Sequence, residues 1–91
     1  MITGDQDVVP GYVADWHDHR SPFDRSPHGD KMLVIFEGGD HNLVRDADDA
    51  DFAVMARLTT NYLKAFALGE TGSRADLATF VAPQGVTLER R

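Results

Sequence analysis

The sequence predicts an α/β fold whose sheet is incomplete within the chain, and three observations carry that reading. The unbroken apolar run Met32-Leu33-Val34-Ile35-Phe36 has the composition of a strand buried on both faces, as in a parallel sheet. The stub Met1-Ile2-Thr3, closed by Gly4, reads as the last residues of a second strand. Between Asp49 or Asp51 and Leu68 the apolar residues recur three or four apart, which predicts one long amphipathic helix.

The elements follow in order. Residues 5 to 29 are polar and punctuated by Pro10, Gly11, Pro22 and Pro27, which predicts a loop with one helical turn. The strand over residues 32 to 37 then runs into Gly38-Gly39 and delivers His41 just past its end. In open α/β sheets the chemistry sits beyond the carboxyl ends of the strands. A histidine brought there is well placed to act as a base, and the plainer role for it is to finish a loop.

A loop rich in aspartate leads to the helix. Phe52, Met55, Leu58, Tyr62, Leu63 and Phe66 form its apolar stripe, read as core. Asp46, Asp48, Asp49 and Asp51 supply an N-cap and favourable charge at the positive end of the helix dipole. Gly69 is a natural stop. A short helix over residues 74 to 80, broken before Pro83, and an edge strand at Val86-Thr87-Leu88 complete the prediction. A strand that needs cover on both faces and partners on both edges is not satisfied by one good helix. An open apolar edge invites aggregation. The chain is therefore expected to belong to a larger sheet, with self-association through the exposed strand as the other way to supply the missing neighbours.

Composition bounds the function. At 91 residues the chain makes at most one small domain. Nine basic against fifteen acidic residues leave a net charge of −6, which argues against nucleic acid and anionic membranes as partners. Cysteine is absent, so disulfides, thiolate nucleophiles and cysteine metal sites are excluded. No stretch approaches the ~20 apolar residues of a membrane span, and Met1-Ile2-Thr3-Gly4-Asp5 does not read as a signal peptide. The cytoplasm is the default compartment, with export left open.

Taken together, the ordered pieces resemble the C-terminal end of the α/β-hydrolase family, in its dienelactone-hydrolase-like and cutinase-like carboxylesterase branches. Thr3-Gly4-Asp5-Gln6-Asp7 is similar to the Thr-Gly-x-x-Asp element after a late strand. Gly29-Asp30-Lys31 is similar to the lead into the last strand, and Gly38-Gly39-Asp40-His41 to the turn that carries the histidine. The likeness covers residues 1 to 68 and, more loosely, the tail. It implies that Asp7 matches the triad acid, with Asp5 as runner-up, and that His41 matches the triad histidine. In that family the order is nucleophile, acid, histidine, and the acid orients the imidazole so that its other nitrogen can accept a proton. Asp7 and His41 are thus expected within hydrogen-bonding reach. Asp40 adjoins His41, and neighbouring side chains rarely point the same way.

The family's Gly-x-Ser-x-Gly nucleophile elbow is not in this sequence. Its serines are Ser21 and Ser26, each before a proline, and Ser73, which lies after the histidine. The resemblance therefore implies a segment of a serine hydrolase acting on carboxylic esters or related acyl compounds. Such a segment would be inactive alone and would need no cofactor. The expected partner is a small-molecule ester in the intact enzyme. A non-enzymatic α+β interaction or oligomerisation module is the alternative.

Two further constellations stand out in the sequence. Asp15-Trp16-His17-Asp18-His19, with Asp24 and His28 nearby, contains a His-x-His pair that recurs in zinc hydrolases, but the segment lacks strand character and no third ligand is clearly spaced. A polar loop near the mouth of the site is the expectation, with no metal assigned. Trp16 either packs on the sheet or lines a pocket. The aspartate run at 46 to 51 lacks the glycine and terminal glutamate of an EF-hand loop, so capping is the better account. Phe23, between Arg20 and Arg25, is expected to pack on the sheet.

Overall fold

A computed structural model describes all residues from Met1 to Arg91. The chain divides into two compact units, one of Met1–Asp46 with Ala82–Arg91 and one of Ala47–Val81.

The first unit is built on a three-stranded sheet in the order β1-β2-β3. Strand β1 (Ile2–Gly4) runs parallel to β2 (Met32–Phe36), pairing Ile2 with Val34 and Gly4 with Phe36. Strand β3 (Val86–Arg90) lies antiparallel on the other side of β2, with Val34 opposite Leu88. The apolar run is therefore the central strand, hydrogen-bonded on both edges within this chain. This corrects the expectation of an open β2 edge, and with it the case for self-association through that strand. The last few residues fold back to form an edge longer than the Val86–Leu88 segment predicted.

Side chains alternate across β2. Leu33 and Ile35 join Phe23 in a buried cluster on one face, and Trp16 packs against it. Val34 and Phe36, which point the other way, are buried as well. That is why the run carries no polar residue. Trp16 opens a 3-10 turn, Trp16–Arg20, which leads directly into the short helix α1 (Ser21–Arg25) with Pro22 in its first turn. The loop after β2 contains a further helical turn, α2 (Leu43–Asp46), which the sequence pattern did not single out.

The second unit is a helical hairpin. Helix α3 (Asp49–Ala67) starts where Asp48, in extended backbone, accepts the Asp51 amide at 2.8 Å. It ends at Gly69, whose φ of +72° lets the chain turn away, while the Glu70 amide donates to the Lys64 carbonyl. Helix α4 (Thr71–Thr79) starts three residues earlier than predicted and packs on α3, with Asn61 bonded to Asp76 at 3.1 Å and Arg74 stacked over the Phe66 ring. The buried face of α3 runs through Met55, Leu58 and Ala65. Phe52, Tyr62 and Leu63 are exposed, so the predicted stripe is core only in its middle. Ala65 lies seven residues, about two turns, beyond Leu58, whereas Phe52 and Leu63 sit on a flank of the helix.

Candidate functional site

The carboxyl ends of β1 and β2 are held together by an unusually close backbone approach. A Cβ built on Gly4 would stand 2.0 Å from the Gly39 carbonyl oxygen, so only glycine permits the contact. Three hydrogen bonds stitch the two loops: Asp5 N–H to the Phe36 carbonyl at 3.1 Å, Gln6 N–H to the Gly39 carbonyl at 2.9 Å, and Gly38 N–H to Asp5 Oδ1 at 2.7 Å. Gly38 itself makes the turn at φ +73°.

That brace decides which aspartate meets the histidine. Asp5 is spent on the Gly38 amide. Asp40 accepts the Asn42 amide at 2.8 Å in an Asx turn. Asp7, set by a turn in which its N–H reaches the Gly4 carbonyl, places Oδ1 2.9 Å from Nδ1 of His41. An ionised carboxylate only accepts, so the ring nitrogen donates. The second oxygen of Asp7 takes a hydrogen bond from Oγ1 of the buried Thr3 at 3.1 Å. The Asp7 side chain is 14% exposed and that of His41 is 63% exposed. The acid is thus sheltered and oriented, and the imidazole opens to solvent.

A third residue joins them. The 3-10 turn carries His19 to the same carboxylate, with Nε2 3.2 Å from Asp7 Oδ1. The nitrogen is within ion-pair reach but lies off the direction a hydrogen bond requires, and it is buried without a hydrogen-bonding partner. The His19 and His41 rings are roughly parallel, their centroids 6.2 Å apart. The rest of the histidine-rich segment stays apart from this group. His17 turns back on Asp15, its Nδ1 2.6 Å from Oδ1. The His17 amide, and after it the ring, hold the Asp15 carboxyl below the usual carboxylate range. The His-x-His pair therefore does not converge, because successive odd positions point apart on a 3-10 turn. The meeting of His19 with Asp7 had no signal in sequence spacing, since it depends on how the loop folds over β1.

Trp16, Phe23 and Lys31, all before β2, serve packing. Trp16 lies on the sheet cluster, which settles its two expected roles in favour of the sheet. Lys31 reaches back to the Phe23 carbonyl and, at 2.6 Å, to the Ser26 carbonyl at the end of α1, with its ammonium over the Phe23 ring. Ser26 Oγ also donates to the Phe23 carbonyl, and Ser73 Oγ donates to Glu70. Both hydroxyls are engaged locally.

No protein-family model, curated protein or solved structure matches this chain. The α/β-hydrolase resemblance therefore rests on the order of motifs within these residues.

Proposed function

We propose that Asp7 and His41 are the acid and the base of an acyl hydrolase of the α/β-hydrolase type, acting on carboxylic esters, with the nucleophile supplied from outside these residues. The observation that carries this reading is the 2.9 Å contact between Asp7 Oδ1 and His41 Nδ1 beyond the carboxyl ends of two adjacent parallel strands. A carboxylate on Nδ1 fixes the tautomer that leaves Nε2 free to take a proton from an attacking hydroxyl and to return it to the leaving alcohol. Thr3 and the Gly4–Gly39 contact support it by holding Asp7 in place.

The test has two arms. The 91-residue chain alone is expected to cleave activated esters no faster than its His41→Ala variant. Mixed with a hydrolase segment that carries a Gly-x-Ser-x-Gly elbow and oxyanion donors, it is expected to gain saturable turnover. That turnover should fall by about 10²-fold or more in His41→Ala and Asp7→Asn. Saturable, His41-dependent turnover by the chain alone would overturn the external nucleophile and direct attention to Ser21, Ser26 and Ser73. Reconstituted turnover indifferent to both substitutions would overturn the acid–base assignment.

A further inference from the structure

We infer that Asp7, His19 and His41 form a binding site for a divalent first-row transition metal, with zinc the best-fitting ion. The three candidate ligand atoms lie within 4.8 Å of one another. Two of the separations already suit a metal: Asp7 Oδ1 is 2.9 Å from His41 Nδ1 and 3.2 Å from His19 Nε2. Zinc bonds of ~2.0–2.1 Å at the tetrahedral angle separate donors by roughly 3.3 Å. The remaining separation, between the two imidazoles, is no more than 4.8 Å, and the mostly exposed His41 side chain has room to adjust.

Three features set this group apart from a chance cluster. First, Nε2 of His19 is buried, lies 3.2 Å from Asp7 Oδ1 and has no hydrogen bond. A buried ring nitrogen without a partner is costly, and a metal is a partner that satisfies its lone pair. Second, the donors are two imidazoles and one carboxylate. That set suits zinc and its first-row neighbours, whereas magnesium and calcium prefer all-oxygen sites. Third, the carboxylate is already oriented from behind. Thr3 Oγ1 donates to Oδ2 at 3.1 Å, leaving Oδ1 as the single ligand atom, as outer-shell partners do in metal centres. Three protein ligands beside an exposed ring leave a fourth position facing water.

A bound ion would take the Asp7 Oδ1 and His41 Nδ1 atoms that the acid–base reading uses, so the two occupations exclude each other. The binding itself does not depend on that reading, since it is measured without substrate.

The experiment is calorimetric titration of the 91-residue chain with zinc chloride at pH 7.5, at which imidazoles are mostly neutral. The expected result is one ion per chain, with affinity weakened by about 10-fold or more in His19→Ala and in Asp7→Asn. His17→Ala and His28→Ala are expected to leave the affinity unchanged. His19→Gln serves if the alanine variant fails to fold by circular dichroism. Amide spectra of the unsubstituted chain give an independent reading, with zinc-dependent shifts expected around Asp7, His19 and His41. No saturable binding would overturn the site. So would binding insensitive to His19 and Asp7, or binding lost with His17 and His28.

Discussion

Gly4 and Gly39 do at the residue scale what no side chain could. The first carries the close approach that brings the Asp5–Asp7 loop onto the Gly38–His41 loop, and so brings acid and histidine together. Gly4→Ala forces its Cβ into the Gly39 backbone and should destabilise by about 1–3 kcal/mol, the usual range for overpacking. Gly38→Ala meets open space and suffers only from its positive φ, which should cost about 1 kcal/mol. Urea denaturation of both variants checks the order. A Gly4→Ala effect no larger than that of Gly38→Ala would mean that the two loops part easily. Asp5 shows a related economy, since its bond to the Gly38 amide braces the turn and leaves Asp7 for His41.

Among the elements, α3 is the one whose parts were most clearly separable. Its cap is Asp48, one residue before the helical run, and the neighbouring Asp49 and Asp51 add only dipole charge. Asp48→Ala should therefore lower stability by about 1 kcal/mol, and Asp49→Ala by less than about half of that. On the apolar side, Leu58→Ala should cost about 2–5 kcal/mol, because a buried leucine leaves a cavity. Phe52→Ser and Leu63→Ser, at exposed positions, should stay within about 0.5 kcal/mol. Chemical denaturation of the five variants separates the cap and the buried face from the exposed flank. A large loss at Phe52 or Leu63 would show that this flank is covered in solution. The helix-period pattern could name six apolar residues but not choose among them, since the buried face is defined by what packs on it.

For the molecule as a whole, one charged network that joins distant segments adds to acid sensitivity. Arg20 holds Asp24 through paired bonds of 2.8 and 3.0 Å and reaches Glu89 at 2.8 Å, while Arg91 meets Asp24 at 3.1 Å. It ties the segment before β2 to the end of β3. The Arg20 hydrogen bond, helped by the charges of Arg20 and Arg91, holds the Asp24 carboxyl below the usual carboxylate range. A depressed folded value means that the unfolded chain binds the proton first as pH falls. The stabilisation is therefore fully present above the ordinary aspartate value of about 3.9 and is lost as pH drops through the lowered one. Solvent exposure keeps the contribution small. Urea midpoints followed from pH 6 to pH 2 should fall more steeply for the unsubstituted chain than for Asp24→Asn below about pH 4. Parallel curves would mean that the network adds nothing to folding.

Local physics was enough for the two main elements. An apolar run between turn glycines, a three-and-four apolar spacing and a capping aspartate are short-range signals, and they led to β2, to α3 and to the position of His41 past a strand end. The pairing of Asp7 with His41, thirty-four residues apart, was legible only through the order of motifs, because the distance between two loops is not encoded in either one. Three features lay beyond that reach. The antiparallel return of β3 along β2 depends on long-range pairing. The buried arc of α3 depends on its neighbours. The arrival of His19 at the Asp7 carboxylate depends on the path of an irregular loop whose proline, glycine and aspartate residues permit many conformations. Sequence determined the central strand and the long helix, since those preferences reside in residues a few positions apart. Tertiary structure alone decided that His19 joins Asp7 and His41 while Asp5 and Asp40 turn elsewhere, since that is set by contacts between residues far apart in the chain, such as Gly4 against Gly39.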